Sequence, residues 1–176
     1  MSRRKRMPEK HRRYLLKEKE SRDLLRKASQ RCKVSLKQVF GEATRVEVVE
    51  TPFGKICLIN MKPTLVVTEA DVYPTLVSKE LFDASPKIVV DMGAVAYVCK
   101  GANIMAPGIR RFEGSFAKGD IVFIIDEKHG KPIALGEAAY DVEEAKNTKH
   151  GMVVKNIHYV GDNVWKLIKD LPAMPK

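Results

Sequence analysis

Few residues in this chain have both the type and the spacing for covalent or metal chemistry. The three cysteines, Cys32, Cys57 and Cys99, stand far apart. The four histidines, His11, His129, His150 and His158, are not spaced for joint ligation with one another or with a cysteine. Structural zinc sites draw on close Cys or His pairs, so the expectation is no metal and no cofactor. An odd number of separated cysteines fits reduced, buried thiols better than a disulfide framework. No Gly-rich loop precedes a Lys-Ser or Lys-Thr pair, and neither a dinucleotide fingerprint nor a nucleophile elbow occurs. Asp91 and Asp126 read as turn caps, and Glu143 and Glu144 as the start of a helix. The chain is expected not to be an enzyme.

The chemistry that remains is the binding of a polyanion, and it is concentrated in "CKGANIMAPGIRRF", Cys99 to Phe112. Gly101 and Ala102 are small enough to let another backbone approach, and Gly101 can turn its amide toward an anion. Pro107 and Gly108 fit the central positions of a type II turn. Ile104, Met105 and Ile109 are apolar and read as anchors into a core. Lys100, Arg110 and Arg111 bracket the loop with charge suited to phosphates, although two surface arginines can also be an ordinary solvated pair. Lys155 and His158 recur along the last strand and can face the same side. Trp165 reads as a packing residue rather than a stacking platform.

Charge points the same way. The net charge is +10. Residues 1–33 hold 14 Lys or Arg against 4 Asp or Glu, and the remaining 143 residues hold 18 of each. A neutral body with a basic head suits nucleic acid; the alternative is a solvated, solubilising helix. Large apolar residues are scarce in the basic stretch, so a membrane surface is a poorer fit. No run approaches the roughly 18 apolar residues of a membrane span, and no apolar segment follows the basic start as in a secretory signal. The expected location is the cytoplasm.

These residues need elements to hold them. "MSRRKRMPEKHRRY" reads as a flexible basic segment over residues 1–16, with Arg3, Arg4, Arg6, Arg12 and Arg13 as phosphate contacts. Leu15, Leu16, Leu24, Leu25 and Ala28 predict a helix over about 17–31. "VSLKQVFG" predicts a short helix capped by Ser35 and ended by Gly41. "TRVEVVE", "TPFG" and "KICLIN" predict a hairpin, "PTLVVT" a further strand, and "YPTLVSKELFD" a helix with its proline near the start. A boundary falls near residue 85. Beyond it "KIVVD", "AVAYVC", "FAKGDIVFIID" and "IALGEAAYD" predict strands, "VEEAKN" a short helix, and "GMVVKNIHYVGDNVWKL" a closing hairpin. Strands this short and this frequent predict a small barrel or curled sheet.

"GANIMAPGI", "KGDIVFI", "ALGEA" and "GMVVKNIHYVGDNVW", in that order across residues 87–170, resemble the PUA domain of pseudouridine synthases and archaeosine transglycosylases. The whole chain resembles the family of the malignant T-cell-amplified translation protein and its archaeal relatives, in which a pre-PUA domain precedes the PUA domain. The resemblance implies an α+β protein. A small α/β pre-PUA-like domain over 17–85 would be followed by a mostly antiparallel PUA-like pseudobarrel over 86–176. In PUA domains the equivalent loop and the last strand form an RNA groove. That makes Lys100, Gly101, Ala102, Asn103, Pro107, Gly108, Arg110, Arg111, Lys155 and His158 the expected RNA contacts. The implied function is a non-catalytic, translation-associated factor on the small ribosomal subunit or tRNA, with structured RNA and a protein of translation initiation or recycling as partners. The alternative is an accessory subunit that delivers tRNA to a modification enzyme.

Overall fold

The computed structural model describes residues 11–42 and 45–171. Its first part runs β1 (Arg13–Leu15), α1 (Glu18–Cys32), α2 (Leu36–Phe40), β2 (Val46–Thr51), β3 (Gly54–Ile59), β4 (Lys62–Val67), β5 (Val72–Pro74) and α3 (Lys79–Ala84). The five strands form one antiparallel sheet in chain order. Local chemistry explains the boundaries. The Ser35 hydroxyl accepts from the Gln38 amide at the start of α2, and Gly41 follows its last residue. The proline of "YPTLVSKELFD" does not open a helix as expected. Pro74 closes β5, and α3 starts only after Ser78, whose hydroxyl accepts from the Leu81 amide. Arg13–Leu15, placed in the flexible segment by their charge, pair with β2 as an edge strand.

The second part runs β6 (Lys87–Val90), α4 (Met92–Val98), β7 (Ile104–Met105), a single 3-10 turn (Ala106–Gly108), β8 (Ile109–Glu113), β9 (Ile121–Asp126), β10 (Pro132–Ala138), α5 (Val142–Asn147), β11 (Met152–Tyr159) and α6 (Asn163–Asp170). The sheet order is β7-β11-β10-β9-β6-β8, antiparallel except for the β6–β9 pair. Two expected strands are helices. "AVAYVC" has strand-like composition, but Asp91 caps it by accepting from the Ala94 amide at 2.8 Å, and Ala94, Val95 and Val98 pack on the core. The closing hairpin is a strand followed by α6, because Asp162 caps a helix over the stretch read as the return strand.

The two sheets share a core. Val49, Ile56, Leu58, Val66 and Tyr73 of the first pack in one cluster with Ile121, Phe123, Leu135, Val164 and Ile168 of the second part. Burying each such side chain contributes about 1.5–3 kcal/mol, so the halves dock as one body. A polar clamp closes the seam. Arg31 of α1 donates to Asp71 at 2.8 and 3.1 Å, to Glu137 at 2.7 Å, and to the carbonyl of Gly119. The hydrogen bond to Asp71 holds the guanidinium even more firmly protonated than usual, against the opposing effect of burial. Arg31→Ala leaves two carboxylates without their cation at a site where Arg31 is 20% exposed. It should cost about 2–3 kcal/mol and lower the melting temperature by about 5–10 °C. An unchanged melting curve would show that the clamp contributes nothing to docking.

Candidate nucleic-acid interface

The loop from Cys99 to Gly108 is held at both ends by α4 and β11. Helix α4 ends in a Schellman motif. The Ala102 amide donates to the Tyr97 carbonyl at 3.1 Å, and the Gly101 amide to the Val98 carbonyl at 3.0 Å. Gly101 is the left-handed residue of that motif, with φ +95. Its amide is therefore committed to the helix end, not turned toward an anion as expected. A Cβ at Gly101 would stand 3.1 Å from the Tyr159 ring. Any side chain here is strained by φ and crowded by Tyr159, so Gly101 shapes the turn that carries its neighbours.

Asn156 of β11 fixes the loop. Its side-chain amide donates to the carbonyls of Val98 (3.1 Å) and Ala102 (2.9 Å). Its backbone amide donates to the side-chain oxygen of Asn103 at 3.0 Å. The sequence reading missed Asn156, although the motif containing it was singled out. Further on, Ile104 is buried and pairs with Val154, while Met105 pairs with Met152 and is 48% exposed. Met105 is thus a surface residue, not the expected anchor. Pro107 and Gly108 lie in the 3-10 turn rather than a type II turn. A Cβ at Gly108 would stand 3.1 Å from the Ala94 methyl, a tight contact between this turn and α4.

The charged candidates separate sharply. Lys100 and Lys155 are exposed, and no carboxylate lies within ion-pair distance of either among the described residues. Arg110 is paired with Glu127 at 3.2 Å and lies 3.9 Å from Asp91, and Arg111 is paired with Glu113 at 3.0 Å. Both arginines are already partly neutralised within the protein. Of the basic head, Arg13 is bound to Glu47 at 2.9 Å and Arg12 lies 3.9 Å from Glu50. Arg3, Arg4 and Arg6 lie outside the described residues.

His158 must be corrected outright as an RNA contact. It is fully buried, and its Nδ1 lies 2.7 Å from the Asp162 carboxylate. The reason is α6: the Asp162 that caps it also turns back to His158 and to the Tyr159 amide at 3.0 Å. Burial pushes the Asp162 carboxyl up, but the hydrogen bond and charge of His158 and the amides of Trp165 and Tyr159 outweigh it, holding the carboxyl below its ordinary value. A depressed carboxyl contributes stability that is present above its ordinary value and lost as pH falls through the lower folded value. Asp162→Asn keeps a capping oxygen but sets an amide donor against the Tyr159 amide. It should destabilise by about 1–3 kcal/mol at neutral pH. Its stability should also fall less steeply than that of the unmodified chain below pH about 4. Parallel denaturation series from acid to neutral pH check this, and superimposable pH profiles would contradict it.

Tyr97 is the residue that sequence reasoning overlooked. On a strand it would alternate between faces; on α4 it stands 70% exposed, with its carbonyl receiving the amides of Lys100 and Ala102. The ring and the exposed ammonium of Lys100 thus stand three residues apart at the end of one helix. The surface assembled here is Tyr97, Lys100, Ala102, Asn103 and Met105; Lys155 precedes Asn156 on β11 and lies directly across from Glu137, so its side chain leaves the strand on the opposite face from that of Asn156. Among the described residues no group of three or more His, Cys, Asp or Glu is placed to hold a metal ion, and no helix is long and apolar enough to cross a membrane.

Residues 86–160 match the PUA domain, and residues 12–78 match a domain of unknown function, DUF1947. An uncharacterized protein of Methanocaldococcus jannaschii is 36% identical over 131 residues, which cover 73% of this chain and 80% of that protein. Translation machinery-associated protein 20 of Schizosaccharomyces pombe is 37% identical over 90 residues, 49% of this chain and 50% of that protein, so the match spans about half of that relative. A PUA domain structure from Aeropyrum pernix, solved as a tartrate complex, superposes with a TM-score of 0.76 at 27% identity, covering 90% of this chain and 92% of that one. The surface around Gly101 lies inside the PUA match and the Arg31 helix inside the DUF1947 match, and the chain belongs, with the Methanocaldococcus jannaschii protein, to the family of PUA-domain proteins with a preceding DUF1947 domain.

Proposed function

We propose that this chain is a non-catalytic RNA-binding protein of the translation apparatus, acting in the cytoplasm on the small ribosomal subunit or on tRNA. The observation that carries the reading is the exposed Tyr97 ring on the last turn of α4, three residues before the exposed Lys100, which has no internal ion pair among the described residues. Lys100, Ala102 and Asn103 meet the RNA from one side, Tyr97 stacks an unpaired base, and Lys155 adds charge from the neighbouring strand β11. Gly101, Pro107 and Gly108 hold the loop in shape. Arg110 and Arg111 contribute less, because their carboxylates compete with phosphate. The cations of residues 1–13 add contacts that depend on charge and not on sequence. A protein of translation initiation or recycling is the expected second partner.

Sedimentation through sucrose with purified ribosomal subunits and with tRNA tests this. The chain should travel with the small subunit at moderate salt, and a chain lacking residues 1–10 should be released at lower salt. Binding to tRNA without any co-sedimentation would instead favour an accessory subunit of a tRNA-modifying enzyme. Binding to neither would contradict the proposal.

A further inference from the structure

A second cleft adjoins the surface just described. It lies between the β2–β3 turn of the first sheet and the β11–α6 turn of the second part, with a volume of about 330 Å³, and Phe53, Tyr159, Gly161, Asp162, Asn163 and Lys166 line it. Small-molecule sites run from about 300 to 1,000 Å³, so the cleft suits one small planar group.

Phe53 is the residue that needs explaining. It is 44% exposed at the tip of a turn whose geometry is tightly set. The Thr51 hydroxyl donates to the Gly54 carbonyl at 2.6 Å and accepts from the Phe53 amide at 3.1 Å. Gly54 has φ +123, and a Cβ there would stand 2.8 Å from the Val67 carbonyl oxygen. The turn is therefore rigid, and it presents an aromatic ring outward. Across the cleft stands Tyr159, the same ring that crowds Gly101. Tyr159 thus borders both the cleft and the Gly101 turn.

Its chemistry favours an anion-bearing ring. The Asp162 carboxylate in its wall is already engaged by His158 and by the amides of Tyr159 and Trp165. Lys166 is exposed without an ion pair among the described residues, and Asn163 is exposed. An aromatic ring for stacking, an amide for a base edge and an unpaired ammonium for a phosphate are the requirements of an unpaired nucleotide. We infer that this cleft is a second subsite for single-stranded RNA, in which Phe53 stacks a base of the strand that crosses Gly101 and Tyr159 while Lys166 neutralises its phosphate. The inference rests on the proposed RNA-binding function.

Fluorescence anisotropy of the full chain with labelled oligouridylates of about 4 and about 12 nucleotides, bracketing common site sizes, reads it out. Phe53→Ala should weaken the long oligonucleotide by about five- to a hundredfold and leave the short one unchanged. Phe53→Tyr, which keeps the ring, should restore binding, and Lys166→Glu should weaken only the long one. Tyr97→Ala should weaken both. If Phe53→Ala binds both lengths as tightly as the unmodified chain while Tyr97→Ala does not, the second subsite is overturned and the first surface stands. Equal weakening of both lengths by Phe53→Ala would also overturn it, since Phe53 would then belong to the first surface or to the fold. If no oligonucleotide binds, or if neither Phe53→Ala nor Tyr97→Ala has any effect, the second subsite is overturned, and the proposed function is decided by the sedimentation with subunits and tRNA.

Discussion

Gly136→Ala should be among the most damaging single-methyl additions possible in this protein. Gly136 lies on β10, next to the bulge where β11 carries an extra residue. A Cβ there would stand 2.2 Å from the Lys155 carbonyl oxygen and 2.6 Å from a Val154 methyl. No rotamer relieves this, because one of the two atoms is backbone of the paired strand. Strand β11 must move away, and it carries Lys155, the Asn156 that fixes the loop, and the buried His158. We expect a loss of about 3–5 kcal/mol and a fall in melting temperature of about 10–15 °C. RNA binding should be lost with it. Thermal unfolding followed by circular dichroism checks the prediction, and a variant that melts within about 2 °C of the unmodified chain, about 0.5–1 kcal/mol, would show that the β10–β11 pairing is looser than described.

Reversing both unpaired lysines, Lys100→Glu with Lys155→Glu, should have the largest effect on binding. Both side chains are exposed, so the loss of stability should be small, about 0.2–1 kcal/mol, from Lys155→Glu standing opposite Glu137 on β10. Losing two phosphate contacts should flatten the slope of log affinity against log salt by about 1.5. With two new repulsions added, affinity at moderate salt should fall by about a hundredfold, on the order of 1.4 kcal/mol per site. Reversing Arg110 and Arg111 should do less, because Glu127 and Glu113 already take up their charge. Titrations of both double variants at several salt concentrations decide it. Equal losses would mean that internal ion pairing does not govern which cations reach RNA.

Much of this arrangement is legible in the sequence, and the failures have physical causes. The alternation in "TRVEVVE" and "KICLIN" gives the β2–β3 hairpin because one face of each strand is buried, and Ser35 and Gly41 bound α2 by local hydrogen bonding. Gly101 stood out correctly as a special backbone position, but its reason is helix termination and the Tyr159 ring. Helix α4 was hidden because Val95, Tyr97 and Val98 have strand-like composition; Asp91 and the core decide for helix. That misreading concealed Tyr97. Helix α6 was hidden because "VGDN" has the composition of a hairpin turn, when its aspartate is a cap. His158 was misplaced for the same reason, since Asp162, four residues on, draws it inward. The pairing of Arg110 was illegible because Asp91 and Glu127 reach it only through the fold, whereas Arg111 pairs with Glu113 two residues on; Lys100 and Lys155 form no ion pair among the described residues, although Glu137 lies across the strand from Lys155.

The claim that the α4–β11 surface is where RNA lies is tested most directly by photocrosslinking. RNA substituted with 4-thiouridine, bound to the full chain and irradiated, is digested, and the modified peptides are identified by mass spectrometry. Crosslinks should concentrate in the segment containing Tyr97 to Met105 and in the segment from Met152 to Lys155, with Tyr97 itself modified. Crosslinks confined to α1 or to the β8 segment carrying Arg110 and Arg111, with the Tyr97 peptide untouched, would place the RNA on another face and contradict the account.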